Sequence, residues 1–136
     1  VCYDNDQNNC DIYGRMYDFQ TAKSACPNGW HLPTYDEWTR MSDHLGGLSV
    51  AGGKLKATTL WEAPNTGANN SSGFSALPGG TRNTRNAFGG LGGITQFWSL
   101  KTNSEGFIWR LLNDRRSLYR APASERLSLY CRCVKD

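Results

Sequence analysis

The chain has 136 residues, of which 38% are hydrophobic, so it is long enough for one domain with a modest core. Its net charge of +3 is too small to indicate nucleic-acid binding, and no apolar run approaches the ~20 residues of a membrane span. The charge is uneven: residues 107–136 carry seven basic and three acidic side chains, whereas the other 106 residues have a net charge of −1.

The first predicted element is a strand at residues 12–19, "IYGRMYDF", because it is rich in aromatic side chains that alternate with polar ones. A short helix, "QTAKSAC", is predicted to follow over residues 20–26. It stops at Pro27 and Gly29, which do not continue a helix.

The strongest helix signal lies between Thr34 and Gly46. Thr34 and Glu37 have the spacing of a capping box, in which each side chain accepts a hydrogen bond from the backbone of the other. Trp38, Met41 and Leu45 fall on one face of this helix. We interpret that face as core.

Residues 46–96 are dense in Gly, Asn, Ser and Thr, yet single large apolar residues recur through them. This pattern predicts long ordered loops fixed to a small core. From residue 96 onward four strands are predicted: "QFWSL", "GFIWRLL", "RSLYR" and "LSLYCRCV". The layout is therefore α+β: two helices, long ordered Gly/Asn-rich loops and a small antiparallel sheet.

The chain has five cysteines, and a Cys2–Cys10 bond would close the short polar loop "CYDNDQNNC" in the way that is typical of oxidising compartments. Two metal alternatives compete at this loop. Zinc lacks a second ligand pair, since His31 and His44 have no suitable spacing. The D-x-D-x-N pattern resembles the start of a calcium loop, but Arg15 stands where the closing acidic ligand belongs. We expect no metal and no other cofactor.

Three blocks carry a family resemblance: "YGRMYDFQTAKSACPNGWHLPTYDEW", "PNTGANNSSGFSALPGG" and the closing "RCVKD". They resemble the Fibrobacter succinogenes major paralogous domain family over nearly the whole chain. The resemblance implies a C-type lectin-like fold, close to formylglycine-generating enzymes and to variable receptors diversified by retroelements. It also implies that residues 1–136 are the C-terminal module of a larger secreted or cell-surface protein.

The resemblance further implies how the cysteines pair. In such folds a cysteine on the first helix is bonded to the last strand, which gives Cys26–Cys133. Cys2–Cys10 is then the second disulfide, and Cys131, two residues before Cys133, is left free beside the bridge.

Catalysis is the less favoured interpretation. Cys131 and Cys133 lack the spacing of an exchangeable pair, Cys133 already has a structural partner, and no histidine lies nearby in the sequence to activate a thiolate. We interpret His31 as a packed, hydrogen-bonded residue rather than a base. "EAPN" at residues 62–65 approaches the E-P-N triplet of calcium-dependent lectins, but no W-N-D follows it. We therefore predict a binding domain and no enzyme.

Residues 97–126 combine aromatic anchors with arginine and adaptable polar groups, as binding surfaces do. On "FIWRLLN", Phe107, Trp109, Leu111 and Asn113 share one face of the strand. We expect Ile108 and Leu112 on the opposite face to point inward. The predicted ligand-binding residues are Trp98, Lys101, Asn103, Phe107, Trp109, Leu111, Asn113, Arg115, Arg116, Tyr119 and Arg120.

The expected function is recognition by an adhesin or receptor of a protein or glycan on another cell or a host, with acidic partners favoured by the clustered arginines. The recognition surface is expected to be variable and open to diversification by a retroelement. Two alternatives remain: a glycan-binding accessory module whose exposed aromatic side chains stack on sugars, and an oxidase-like enzyme that uses Cys131.

Overall fold

The computed structural model describes residues 1–136 and has an α+β architecture, as predicted, with four α-helices rather than two. After a turn of 3₁₀-helix at Tyr3–Asn5, the helices are α1 (Gln7–Tyr13), α2 (Phe19–Ala22), α3 (Tyr35–His44) and α4 (Leu48–Leu55). The strands are β1 (Met16–Tyr17), β2 (Trp30–His31), β3 (Thr81–Arg82), β4 (Phe88–Gly89), β5 (Ile94–Thr102), β6 (Glu105–Leu112), β7 (Tyr119–Ala123), β8 (Leu129–Tyr130) and β9 (Val134–Lys135). None of the helices combines the length and the apolar character that crossing a membrane requires.

The main sheet has five strands in the order β1-β8-β5-β6-β7. Strands β5 and β8 are parallel and all other neighbours are antiparallel, so the sheet is mixed rather than purely antiparallel. Two small ribbons, β2–β9 and β3–β4, lie outside it. The long hairpin β5–β6 forms the centre of the sheet.

The predicted strand at residues 12–19 is wrong except at β1. Ile12 and Tyr13 end helix α1 instead. Asp6 precedes this helix as its N-cap, because its carboxylate accepts a hydrogen bond from the Asn8 N–H. The acidic residues that resembled a calcium loop therefore include a helix cap.

Helix α3 confirms the capping box and the core face. The Thr34 hydroxyl accepts a bond from the Glu37 N–H at 3.1 Å, and the Glu37 carboxylate accepts one from the Thr34 N–H at 3.0 Å. Trp38 is buried, and Met41 and Leu45 pack partly buried against the same core.

Both faces of the main sheet are covered. On one face α3 and α4 pack over a larger core that contains Trp38, Leu55 and Trp109. On the other face α2 supplies Phe19 to a smaller core around Trp98. A central strand such as β6 is consequently buried on two sides, and this decides which predicted site residues reach solvent.

Both predicted disulfides are present, Cys2–Cys10 and Cys26–Cys133, and Cys131 is free as predicted. The second bond joins residues 107 positions apart and connects the segment after α2 to the segment between β8 and β9. It therefore links the beginning of the fold to its end.

Candidate functional site: a cationic–aromatic surface

Three of the eleven predicted ligand-binding residues are fully buried: Trp98, Trp109 and Leu111. The prediction that they lie on an exposed face is wrong. Ile108 is buried as expected, but the opposite face of β6 is buried too, because α3 covers it. In the middle of this strand neither face is free to present an aromatic residue to a ligand, whereas Phe107, next to the hairpin turn, is half-buried.

Trp109 shows how completely the larger core encloses that face. Its ring stacks on Trp38 with the ring centroids 5.3 Å apart and the planes 11° from parallel. Its indole Nε1–H donates to the Ser99 hydroxyl at 2.7 Å. On the other face, the Trp98 Nε1–H donates to the Tyr17 carbonyl at 2.7 Å. Both tryptophans are therefore structural.

The exposed Lys101 and Arg120 lie with the half-buried Phe107 and the buried Trp109 around Tyr35, the first residue of α3. Phe107 meets the Tyr35 ring edge-on at 4.9 Å, and Trp109 lies 5.5 Å from it. Lys101 Nζ lies 5.1 Å from the Tyr35 centroid and 4.9 Å from that of Phe107. Arg120 Cζ lies 5.4 Å from Tyr35 and 5.8 Å from Trp109. We call the four of these residues that reach solvent, Tyr35, Lys101, Phe107 and Arg120, the Tyr35 cage; the buried Trp109 lies beneath them.

The register of the sheet explains why the cage forms. Arg120 on β7 is paired with Trp109 on β6, so the arginine side chain lies over the indole that is next to it on the same face. Lys101 comes near the end of β5, close to Phe107, which follows the hairpin turn. Both cations belong to regular strands rather than to loops, so their positions are set by the sheet.

The two cations of the cage are exposed and have no carboxylate partner. The three ion pairs of the molecule join His31 to Glu37, His31 to Asp136, and Arg115 to Asp114. A cation held against an aromatic face without a counter-ion keeps its charge available for an incoming anion.

A polar groove adjoins the cage at the start of α3, and we call it the α3 groove. Its walls come from the first turns of α3 and from the end of β5 with the hairpin turn. They comprise Thr34, Tyr35, Asp36, Arg40, Leu100, Lys101, Thr102 and Asn103. Asn103, a predicted site residue, is thus on the groove, and its carbonyl accepts a bond from Lys23 Nζ at 2.9 Å.

The remaining predicted residues lie elsewhere. Asn113, Arg115 and Arg116 follow the far end of β6, about six residues or roughly 20 Å along the strand from Phe107. Tyr119, at the start of the edge strand β7, is 39% exposed. The structure therefore divides the predicted set into a buried part, the Tyr35 cage with its groove, and a separate loop end.

The loop end is formed by residues 57–70 and 113–117, which we call the loop rim. Asn113 connects its two segments, since its Nδ2 donates to the Ala63 carbonyl at 3.2 Å and its own carbonyl accepts from the Thr66 N–H at 2.8 Å. Arg115 is paired with its neighbour Asp114 at 3.1 Å. Only Arg116 remains there as an unpaired cation among the predicted residues.

Lys56 fixes the loop rim from below and was not predicted. The residue is fully buried, and its ammonium donates to the carbonyls of Thr66, Leu112 and Arg115 at 2.9–3.0 Å. Burial lowers the pKa of Lys56 to about 8. The only sequence signal was a lysine between Leu55 and Ala57, which does not distinguish a buried lysine from an exposed one.

His31 confirms the prediction of a hydrogen-bonded histidine. Its Nδ1 lies 2.6 Å from an Asp136 carboxylate oxygen and its Nε2 lies 2.8 Å from the Glu37 carboxylate. The bond to Asp136, followed by the bond to Glu37, raises the pKa of His31. This ring connects the α3 cap to the C-terminal residue.

The free thiol of Cys131 lies half-buried against the smaller core. Burial raises the pKa of this thiol to about 12, so it is protonated at neutral pH. The neighbouring Arg132 turns away to Phe74, with its Cζ 4.1 Å from the ring centroid and its Nη1 donating to the Phe74 carbonyl. The two residues thus face different surroundings.

A sequence model of the Fibrobacter succinogenes major domain family matches residues 1–135. No curated protein and no solved structure matches the chain.

Proposed function

This chain belongs to the Fibrobacter succinogenes major domain family, and we propose that it is a ligand-binding domain of an adhesin or receptor with a C-type lectin-like fold. The proposed location is a secreted or cell-surface protein, of which residues 1–136 are one module. Its two disulfides support an oxidising compartment. The proposed ligand is a protein or glycan on another cell or a host.

One observation carries this proposal: Lys101 and Arg120 are exposed, lack a carboxylate partner and are held over the same Tyr35 ring. Cation–π contacts stabilise each side chain only modestly and like charges repel, so strand packing alone gives little reason for two neighbouring unpaired cations. Positive groups fixed on strands are what a recognition site for an acidic group requires.

The rest of the scaffold supports such a surface. Both faces of the sheet are packed, and the Cys26–Cys133 bond joins the two ends of the fold. The exposed residues of the Tyr35 cage and the α3 groove, such as Lys101, Asn103 and Arg120, can therefore be replaced without removing a side chain from either core.

The proposal extends to variability within residues 97–126. If a retroelement diversifies this surface, the substitutions among sibling copies should fall on exposed residues such as Lys101, Asn103 and Arg120. The buried residues Trp98, Trp109 and Leu111 should stay apolar in every copy, because large-to-small changes there cost about 2–5 kcal/mol.

The two alternatives have less support. An oxidase needs a reactive thiolate, whereas the Cys131 thiol is half-buried and its pKa is raised. A glycan module that stacks sugars on Trp98 and Trp109 needs those rings at the surface, and both are buried.

The test is to probe arrays of glycans and of host surface proteins with the folded domain, with and without a calcium chelator. We expect at least one ligand to be retained in the presence of chelator and to be lost with the double variant Lys101→Gln/Arg120→Gln. The matched control, Arg85→Gln/Arg126→Gln, removes the same charge from exposed positions outside the cage. The proposal fails if the wild-type domain retains no ligand above the level of a reduced, unfolded sample.

A further inference from the structure

We infer that the ligand of the α3 groove is an acidic saccharide whose carboxylate or sulfate group binds at Lys101, in the field of the nearby Arg120. This inference rests on the proposed function, because it assigns a chemical class to the ligand of the same surface. It is carried by the charge, the order and the polarity of the groove.

Charge comes first. Lys101 Nζ and Arg120 Cζ each lie within 5.4 Å of the Tyr35 centroid, so their charges are within about one Debye length (~10 Å) of one another. Arg40 is the second cation in the groove walls beside Lys101, whereas Arg120 lies outside them, and Asp36 is the only carboxylate in the walls. An oxyanion bound at Lys101 would gain from that charge and from the more distant charges of Arg40 and Arg120, and it would reduce the repulsion among them.

The cations are also already ordered. Lys101 lies over two rings, Tyr35 and Phe107, and Arg120 lies over Tyr35 and Trp109. Long basic side chains normally lose much rotamer freedom when they bind a ligand. Here the aromatic faces have restricted them in advance, which lowers the cost of binding.

The walls of the groove favour a saccharide over an acidic protein. Hydroxyl and amide groups of Thr34, Thr102 and Asn103 line it, and these donate to and accept from sugar hydroxyls. Protein interfaces instead centre on apolar or aromatic anchors. The exposed large apolar side chains of this molecule are Ile12, Trp30, Leu60 and Tyr119, and none of them lines the groove.

Isothermal titration calorimetry with four oligomers of similar length tests this inference. The probes are oligogalacturonate for a carboxylated saccharide, a heparin-derived oligosaccharide for a sulfated one, a neutral malto-oligosaccharide, and oligoglutamate as an acidic peptide. We expect one or both acidic saccharides to bind at least tenfold more tightly than the neutral sugar and than oligoglutamate. Raising the salt from 50 to 300 mM should weaken this binding.

Lys101→Gln and Arg120→Gln should each weaken that binding about tenfold, while Arg85→Gln, an exposed arginine outside the groove, should leave it unchanged. Melting temperatures identify any variant that fails to fold. Lys101 is exposed at a strand end, so its variant keeps the test valid even if the loss of Arg120 loosens Trp109.

The inference is overturned if neither acidic saccharide binds, if oligoglutamate binds as tightly as they do, or if Arg85→Gln weakens binding as much as Lys101→Gln. A neutral or protein ligand found on the arrays, with binding that depends on the cage, would overturn it while leaving the proposed function intact. An absence of any array ligand would overturn both.

Discussion

Lys56 behaves as an internal cation that three backbone carbonyls surround. Its ammonium donates to Thr66, Leu112 and Arg115, so all three of its N–H groups are used and both segments of the loop rim are held to the end of α4. Its pKa of about 8 leaves it charged at neutral pH, which three carbonyl acceptors require.

Lys56→Met should therefore lower the free energy of unfolding by at least about 3 kcal/mol, because three carbonyls lose their donor and each unpaired group costs about 1–3 kcal/mol. The control is Lys54→Met on the same helix, where one bond to the Leu45 carbonyl is lost from a half-exposed side chain. We expect that variant to lose less than about 1 kcal/mol. Urea unfolding measures both, and equal losses would contradict the role given to Lys56.

His31 provides a pH-dependent contact between α3 and the C-terminus. Its pKa is raised above the ordinary 6.5, so its contribution is fully present below about pH 6.5 and is lost as the pH rises through its folded-state pKa. Partial burial raises the pKa of Glu37, but the Thr34 N–H and His31 more than offset this and lower it below 4.5. Its contribution is present above about pH 4.5 and is lost as the pH falls through its folded-state pKa.

The pair should accordingly contribute most between about pH 4.5 and 6.5. An NMR titration of the His31 ring should give a pKa above 6.5 in the wild-type protein and a lower one in Glu37→Gln. Glutamine can still accept the hydrogen bond from the Thr34 N–H, so this variant keeps the helix cap and changes only the charge next to His31. A His31 pKa at or below 6.5 in the wild type would refute this assignment.

At the scale of elements, the sequence signals that worked were local ones. Helix α3 could be predicted because Thr34 and Glu37 close a cap within four residues. Helix α4 could not be predicted, because Gly52 and Gly53 disfavour a helix. These glycines are required by the close approach of other chain segments. A Cβ on Gly52 would lie 2.3 Å from the Ser117 carbonyl oxygen, and one on Gly53 would lie 2.2 Å from that of Gly67.

The prediction of which face of β6 is exposed was wrong for a related reason, since it too depends on tertiary packing. Alternation along "FIWRLLN" separates two faces, but it does not say how many of them are covered. Both Ile108 and Trp109 are buried because helices pack on each side of the sheet. The sequence predicted Lys101, Phe107 and Arg120 as site residues, but it assigned Tyr35, the centre of the cage, only to a helix.

Gly52→Ala tests the close approach of α4 to residues 116–117. Alanine normally stabilises a helix interior by about 1 kcal/mol relative to glycine. Here we expect the opposite sign, a loss of about 2 kcal/mol or more, because the backbone of Ser117 must move. Thermal unfolding measures it, with the exposed Ser49→Ala on the same helix as a neutral control. A Gly52→Ala protein as stable as the wild type would show that the two segments are not in contact.

For the molecule as a whole, one sheet carries a packed core on each face, and a long-range disulfide beside the smaller core joins distant parts of the chain. Cys26–Cys133 spans 107 residues, whereas Cys2–Cys10 spans 8. In the chain-entropy account a crosslink stabilises more when it closes a longer loop.

The double variant Cys26→Ser/Cys133→Ser should lose about 4–5 kcal/mol, and Cys2→Ser/Cys10→Ser about 2–3 kcal/mol. Removing both partners together prevents Cys131 from pairing with a released thiol. Guanidinium unfolding of both variants under non-reducing conditions measures the difference. If the short-range variant proves the less stable of the two, the long bond is not the main covalent support of the fold.

The central claim is that ligands contact the Tyr35 cage and the α3 groove rather than the buried tryptophans or the loop rim. The most direct measurement is a two-dimensional NMR titration of the isotopically labelled domain with the acidic oligosaccharide that binds most tightly. We predict the largest amide shifts at Tyr35, Lys101, Thr102 and Arg120. Shifts concentrated at residues 57–70 and 113–117, with those four residues unmoved, would contradict the claim.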